Sequence, residues 1–333
     1  MQVQSGGRWD LDRAVYQPGQ RAGHYESFYQ RANHPTRPLA FWIRYTVFAP
    51  IGRPEAAVGE LWAVFFDGES NQHSVSKTEL PIEECRFARD RFDVRVGEAI
   101  LGPTALRGRS GEVQWDLTYT AGAAPLLLFE PSLYRGSFPK AKTLIPAPRA
   151  VFTGQLNVSE RFVDIDEWVG SQNHNWGTRH TDRYAYGQVA GFDSAPDSFL
   201  DVATAKPILV GPVSMPWFTF VVLRHDGIEH RWSSLLQGLR ATASYRFFDW
   251  TFSARTKRVN LRGHLSAPAE SFVGLRYGNP PGGIKDCLNT KIATAEVVLT
   301  DRGTGRETRL HCANSALFEI LTEADTHGVP MRA

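Results

Sequence analysis

The sequence has few cysteines and no long hydrophobic run. The three cysteines, Cys85, Cys287 and Cys312, are far apart, and none belongs to a C-x-x-C pair. This spacing indicates neither a disulfide framework nor a cysteine-based zinc site. The apolar runs are too short to cross a bilayer, and residues 1–10 are polar and lack the apolar core of a signal peptide. We therefore expect a cytoplasmic protein without an integral membrane segment.

An excess of one charge is also missing. The 333 residues include 37 Lys and Arg and 35 Asp and Glu, and no basic run could follow a phosphate backbone. Glycine-rich nucleotide-binding loops and the Gly-x-Ser-x-Gly element of serine hydrolases are absent as well. We therefore expect no nucleic-acid partner and no cofactor.

Helical periodicity is nearly absent, and short apolar and aromatic runs alternate with Gly, Pro, Asp and Asn instead. Short strand-like runs separated by turn residues are typical of an antiparallel β-protein. Phe41–Phe48 and Glu60–Phe66 have the pattern of a strand pair. The dipeptide Asp226-Gly227 between two further runs predicts a tight hairpin. Only Ser315–Glu323 has helical character.

The strand patterns fall into two successive sets. Between them, residues 131–148 contain four prolines and no alternation, which predicts an irregular connector. Two closed or nearly closed barrels are favoured, because closure removes the exposed edges of a sheet. The predicted fold is all-β, with one antiparallel barrel in residues 1–150, a second in residues 151–333, and a short C-terminal helix.

The densest group of polar and aromatic side chains lies in residues 164–180, which we expect to form a loop early in the second half. Within it, Asn173-His174-Asn175-Trp176-Gly177 offers a proton-transfer group, amides to orient it and a ring to exclude water. The alternative is a structural corner, with Trp176 filling the barrel and the amides satisfying backbone groups. His174, His180 and Asp182 match no standard zinc spacing, so we expect no metal site.

This motif resembles the D/N-H-x-W-G element of a family that includes the carotenoid 1,2-hydratases (hydroxyneurosporene synthases) and the AttH-like proteins. In that family the element opens the second of two lipocalin-like barrels. Glu26-Ser27-Phe28-Tyr29 is similar to the E-x-W-Y element of the first barrel, which the tocopherol cyclases share, and Phe28 replaces the usual tryptophan. The resemblance extends over roughly residues 20–320 in the order and spacing of elements.

The resemblance implies that His174, Trp176 and Asp201 are catalytic. Asp201 corresponds to a Tyr-x-Asp element of the family, although Phe199 stands where the tyrosine would be. In this interpretation Asp201 is the acid, since an apolar pocket raises the pKa of a carboxyl. A ring face such as that of Trp176 would stabilise a carbocation, and His174 would orient or activate water. The substrate-binding residues are expected to be Asn173, Asn175, Tyr186, Phe199, Glu26, Tyr29 and Arg179.

Two functions remain open at this point. The first is a cofactor-independent hydratase-, cyclase- or isomerase-type enzyme, a lyase or isomerase acting on an apolar isoprenoid or polyketide-like alkene in a cavity between the barrels. The second is a carrier of a lipid-like molecule, to which His174 donates only a hydrogen bond. Arg179 could bind a carboxylate or phosphate head group at the mouth, or face solvent. Glu26 and Tyr29 could equally form a buried structural pair.

Overall fold

Antiparallel β-structure dominates the computed structural model, which describes residues 11–206, 208–210, 213–324 and 326–333. Two short helices, α1 (Pro131–Arg135) and α2 (Leu235–Arg240), interrupt it. None of the helices in the described ranges is long and apolar enough to cross a membrane. The strands, in chain order, are β1 His24–Asn33, β2 Leu39–Ala49, β3 Val58–Asp67, β4 Ser74–Pro81, β5 Cys85–Phe87, β6 Val94–Val96, β7 Ala99–Leu101, β8 Ala105–Ser110, β9 Val113–Thr120, β10 Leu126–Leu127, β11 Ala141–Val158, β12 Arg161–Gly177, β13 Arg183–Phe192, β14 Ala195–Lys206, β15 Ile208–Val210, β16 Val213–Ser214, β17 Phe218–His225, β18 Ile228–Trp232, β19 Thr242–Arg246, β20 Asp249–Arg255, β21 Val259–Ser266, β22 Val273–Gly278, β23 Ile284–Asp301 and β24 Glu307–Thr322.

These strands form two large sheets, consistent with two lipocalin-like barrels. The first has the order β4-β3-β2-β1-β12-β11-β9-β8-β7-β6-β5, with β10 paired to β11. The second has the order β18-β17-β14-β13-β24-β23-β21-β20-β19, with β22 paired to β23, and β15 and β16 pair separately. The all-β fold class is therefore confirmed.

The chain changes sheet later than residue 150, where the sequence analysis places the division. Residue 150 lies in β11, which pairs with β12, and both strands belong to the first sheet. The prolines at 146 and 148, expected in a connector, lie within β11 beside shifts of strand register, where a missing N–H donor is tolerated. The second sheet begins only at Arg183. The motif at residues 173–177 is thus part of a strand of the first sheet, and the expected loop is not found there.

The predicted C-terminal helix is wrong. Residues 315–322 belong to β24, and residues 316–322 are all buried. Because both faces of this strand are covered, its apolar run lacks a two-residue alternation and cannot be distinguished from a buried helix by pattern.

The predicted strand pairs are confirmed. Phe41–Phe48 lies in β2 and pairs with β3, which includes Glu60–Phe66. Asp226 and Gly227, at φ 48° and 74°, form the two-residue turn between β17 and β18. Positive φ at both turn residues is what the right-handed twist of a hairpin favours.

Alternate residues of the central strands face different cores. In β2, Phe41, Ile43 and Tyr45 pack in the apolar core of the first sheet. Ala40 and Trp42, on the opposite face, belong to a cluster that also contains side chains of the second sheet. Since both faces are buried, the outer face of the first sheet forms part of an interior between the two sheets.

Candidate functional site

A cavity lies between the two sheets and encloses about 1130 Å³, including the solvent at its mouth. Phenylalanine, leucine and alanine side chains supply much of its wall, and α1 and α2 contribute Leu133 and Leu235. An apolar pocket with a few convergent polar groups is the usual form of a small-molecule site. Its polar lining includes Tyr29, Arg44 and Asn175 from the first sheet and Tyr186, Tyr277 and Glu319 from the second.

Strand alternation divides the Asn-His-Asn-Trp motif between two environments. Successive side chains of β12 point to opposite faces. Asn175 lines the cavity, and Asn173 accepts a hydrogen bond from Gln188 of the second sheet at 3.0 Å. His174 and Trp176 point the other way, and neither is among the described residues that line the cavity.

His174 forms a buried ion pair with Glu26. Its Nε2 is 2.7 Å from Oε1 of Glu26, and its Nδ1 is 2.7 Å from the carbonyl oxygen of Leu11. An imidazole ring can use both nitrogens in hydrogen bonds. Phe28 stacks on it, with 4.3 Å between ring centroids. Both nitrogens are therefore occupied by protein acceptors.

Glu26 also anchors the segment before β1. Its carboxylate accepts hydrogen bonds from the backbone N–H groups of Val15 and Tyr16, both at 2.7 Å. Burial alone would raise the pKa of Glu26, but hydrogen bonds from His174 and His24 outweigh burial and lower it to about 2. The paired elements recognised in the sequence thus meet in space, as one buried cluster beside the cavity.

Asp201 is the other fully buried carboxyl of the predicted site. Its Oδ1 accepts a hydrogen bond from the hydroxyl of Tyr186 at 2.8 Å and a longer one from Gln188 at 3.3 Å. Its Oδ2 is buried without a hydrogen-bond partner among the described residues. Burial raises the pKa of Asp201 to about 7 even though these hydrogen bonds and the charge of Arg31 oppose it. Asp201 is therefore present in both protonation states near neutral pH.

Tyr186 connects Asp201 to the cavity. Its side chain lines the wall, and its hydroxyl interacts with that of Tyr29, which lines the wall as well. Burial and the neighbouring Asp201 raise the pKa of Tyr186 well above its ordinary value. The hydroxyl of Tyr186 is consequently a neutral donor or relay between the acid and any bound molecule.

Three other predicted residues, Trp176, Phe199 and Arg179, have different surroundings. Trp176 packs against Tyr134, with 6.1 Å between ring centroids. Phe199 is buried in an apolar cluster that also contains Trp176. Arg179 is about one-third exposed and forms an ion pair with Asp182 at 2.7 Å. Neither Phe199 nor Arg179 is among the described residues that line the cavity.

Two charged groups in the wall, Glu319 and Arg44, are not predicted from the sequence. Glu319 of β24 bonds to Lys291 at 2.9 Å, and Lys291 is fully buried. Arg44 of β2 lies 4.4 Å from the ring centroid of Tyr277. A strand buried on both faces gives no alternation that would place such charges inside. In the sequence, the only sign that these charged residues are buried is their position within otherwise apolar runs.

His180, considered above as a metal ligand, also lines the cavity. Its ring stacks on Tyr25 with 3.9 Å between centroids. Burial and the charge of Arg44 lower the pKa of His180 to about 3, so the ring is neutral. Within the described ranges, no group of three His, Cys, Asp or Glu side chains is arranged to hold a metal ion.

Two relatives match most of the chain. They are the uncharacterized proteins MT0513 and Rv0493c from two Mycobacterium tuberculosis strains. Each is 26% identical over 282 residues, which are 84% of this chain and 83% of the relative. No family model matches the chain.

Three solved structures share the fold over nearly the whole chain. A protein assigned as AttH (NE1406) from Nitrosomonas europaea has a TM-score of 0.56 at 12% identity and covers 90% of this chain and 92% of its own. Kievitone hydratase from Nectria haematococca has a TM-score of 0.59 at 13% identity, with 92% and 91% covered. CghA, solved with Sch210972, has a TM-score of 0.54 at 11% identity, with 96% of both chains covered. The resemblance to AttH-like proteins is confirmed at the level of the fold.

Proposed function

From a fold shared with AttH and kievitone hydratase, we propose that this chain is a cofactor-independent enzyme that hydrates, cyclises or isomerises an alkene. The substrate is an apolar, isoprenoid or polyketide-like molecule held in the cavity between the sheets. The observation that carries the proposal is the pairing of Tyr186, at the cavity wall, with the buried acid Asp201. An acid with a pKa near the working pH is suited to proton transfer.

In the reaction, protonated Asp201 donates to the phenolic oxygen of Tyr186 while the Tyr186 proton passes to one alkene carbon. The new C–H bond forms as the π bond breaks, which leaves a cation on the second carbon. Tyr29 and Phe220 line the same wall, and an aromatic ring face beside the cation stabilises it by about 0.5–2 kcal/mol.

The fate of the cation defines the product. A water molecule adds its oxygen and returns one proton through Tyr186 to Asp201, which completes a hydration. An internal nucleophile closes a ring, and loss of a different proton shifts the double bond. In each case the proton goes back to the carboxylate, so the relay is restored.

His174 and Trp176 act in this scheme as positioning residues. The His174–Glu26 pair joins β12 to β1, and Asn175, the next residue of β12, lines the cavity. The catalytic role that the family resemblance implies for His174 is therefore proposed to be indirect.

The test is turnover of farnesol, farnesoic acid and geranylgeraniol, followed by chromatography and mass spectrometry. Hydration adds the mass of one water, while cyclisation or isomerisation changes retention at constant mass. We expect Asp201→Asn to abolish product and Tyr186→Phe to reduce kcat by about a hundredfold or more, with affinity within roughly tenfold. The control is Asp166→Asn, at an exposed position of β12.

Two results would contradict the proposal. One is full activity in Asp201→Asn. The other is tight binding of these probes by the wild type without any product, which would indicate the carrier function.

A further inference from the structure

Arg44 is a buried cation in the wall of the cavity. Its side chain comes from the middle of β2, where it lies on the face turned toward the second sheet, and the residue is 4% exposed. The guanidinium packs over the ring of Tyr277. A guanidinium removed from water normally has a carboxylate partner.

No carboxylate in the described ranges forms an ion pair with Arg44. The carboxylates that raise the pKa of Arg44 from a distance are Glu60 and Glu319, and each is paired with a lysine, although Lys77 also pairs with Glu79. Glu60 pairs with Lys77 at 3.0 Å, and Glu319 pairs with Lys291 at 2.9 Å. The positive charge of Arg44 is thus not matched by a direct counter-ion.

The hydrogen bonds of Arg44 leave donors free. Its Nε and Nη2 both donate to the hydroxyl of Ser27, at 2.9 and 2.7 Å. That hydroxyl also contacts the hydroxyl of Thr46 at 2.9 Å. Nη1 has no hydrogen-bond partner in the part of the chain that the structure describes. Ser27 and Tyr277 therefore fix the guanidinium plane, while part of its donor set stays available to a bound molecule.

We infer that Arg44 binds a carboxylate of the substrate, so that the ligand is an apolar alkene acid and not a neutral hydrocarbon or alcohol. This inference rests on the cavity of the proposed function and names the class of molecule that fills it. A guanidinium fork matches the two oxygens of a carboxylate. Binding supplies the counter-ion that the protein itself does not provide.

The charge balance favours a monoanion over a diphosphate. Besides Arg44, the lysine that lines the cavity is Lys142, whose ammonium donates to the carbonyl oxygens of Gly136 and Pro139 at 2.9 and 3.0 Å. His180 is neutral. Lys142 has no carboxylate partner in the described ranges either, but two of its three N–H donors are used by these carbonyl oxygens. Arg44 is thus the cation with the larger free donor set and suits one carboxylate, whereas a diphosphate carries more negative charge than these two groups compensate.

The strand register places this anion site beside the proton relay. Arg44 lies directly opposite Tyr29 in the β1–β2 pair, where side chains on one face are neighbours. Tyr29 in turn contacts Tyr186 through its hydroxyl. A carboxylate on Arg44 therefore holds the ligand by one end and brings a nearby double bond to Tyr186.

The experiment measures binding by calorimetry at pH 7.5 with farnesoic acid, its methyl ester, farnesol and farnesyl diphosphate. We expect wild-type protein to bind farnesoic acid at least about tenfold more tightly than the ester, the alcohol or the diphosphate. Arg44→Met should bind the acid and the alcohol equally. Arg44→Lys should keep part of the preference for the acid, because lysine retains the positive charge but lacks the forked guanidinium. Arg107→Met, at an exposed surface ion pair, is the control and should bind like wild type.

The wild-type comparison decides the question even if Arg44→Met fails to fold. Equal affinity for the acid, ester and alcohol, or a preference for the diphosphate, would overturn the inference, as would an undiminished acid preference in folded Arg44→Met. These outcomes are independent of turnover. A wild type that forms product but binds the acid, ester and alcohol equally contradicts only this inference, whereas a wild type that binds the acid selectively without forming any product contradicts only the proposed enzyme.

Discussion

At the residue scale, two buried carboxyls show how surroundings set opposite chemistry. Glu26 receives hydrogen bonds from two backbone N–H groups and two histidines, so its charged form is stabilised. Asp201 receives two side-chain hydrogen bonds on one oxygen, and its second oxygen has no partner among the described residues. At Asp201 the loss of water contacts on burial therefore outweighs these hydrogen bonds and raises the pKa. The first carboxyl suits a permanent ion pair, and the second suits an acid that exchanges its proton.

The raised pKa of Asp201 predicts a pH-dependent cost to stability. The folded carboxyl keeps its proton up to about pH 7, whereas the unfolded one has the ordinary value of 3.8. Between these values the folded state binds more protons, so this group's contribution is complete below about pH 4 and is lost as the pH rises through 7. Asp201→Asn cannot ionise. Its free energy of unfolding relative to wild type should therefore rise by up to about 4 kcal/mol from pH 4 to pH 8.

Urea unfolding of both proteins at several pH values measures this difference. Asp166→Asn, at an exposed carboxyl, should track wild type throughout. A constant difference between Asp201→Asn and wild type across the range would show that Asp201 titrates normally.

At the element scale, the central strands explain what the sequence could predict and what it could not. Strands with one exposed face, such as β9 with its strict alternation of buried and exposed residues, follow directly from pattern. β2 is buried on both faces over most of its length, and β24 is buried on both faces over residues 316–322. The hydrophobic pattern of the sequence therefore could not distinguish β24 from a helix. It also could not show that the side chain of Arg44 points into the cavity. The motif in β12 was recognised, but its division between two faces follows only from its being a strand.

The β1–β12 pair is also packed too closely for a side chain at Gly170. A Cβ added there would lie 1.7 Å from the carbonyl oxygen of Arg31 and 2.6 Å from Cα of Ala32. Gly170→Ala must push β12 away from β1, and we expect it to destabilise the fold by about 3 kcal/mol or more. Gly102, where an added Cβ meets nothing within 4 Å, supplies the control Gly102→Ala.

Thermal unfolding of the two alanine variants tests this packing. The Tm of Gly170→Ala should fall well below that of Gly102→Ala. Similar Tm values would mean that the pair of strands separates easily.

At the scale of the whole molecule, polar side chains join the two sheets. Arg31 of β1 donates to the side chain of Gln188 in β13 at 3.1 Å, and Ser171 contacts the same amide oxygen at 2.5 Å. Asn33 donates to the carbonyl oxygen of Lys291 at 2.7 Å. A polar contact of this kind fixes relative orientation more than it adds stability. The cavity therefore depends on docking of the sheets as well as on their folding.

Thiol labelling can detect separation of the sheets. Cys287 is buried between them, while Cys312 is buried in the core of the second sheet. Arg31→Met removes the hydrogen bonds to Gln188 and to the carbonyl oxygen of Ser315. We expect the labelling rate of Cys287 to rise about tenfold or more while Cys312 stays protected.

Peptide mapping after timed labelling gives both rates separately. The half-buried Cys85 reports that the reagent is active, and Arg109→Met, at an exposed residue of β8, is the matched control. Simultaneous labelling of Cys287 and Cys312 would indicate that the molecule opens only by global unfolding.

The late change of sheet has a consequence for synthesis on the ribosome. All strands of the first sheet, including the His-Asn-Trp motif, have been translated by Gly177. Asp201 is translated after the first sheet, and the cavity-lining residues Tyr277 and Glu319 are translated later still. A nascent chain can complete its first sheet while its outer apolar face has nothing to cover it. For that interval the surface that later encloses a substrate is open to other proteins, so translation speed through the second half and chaperone supply should govern the yield of active protein.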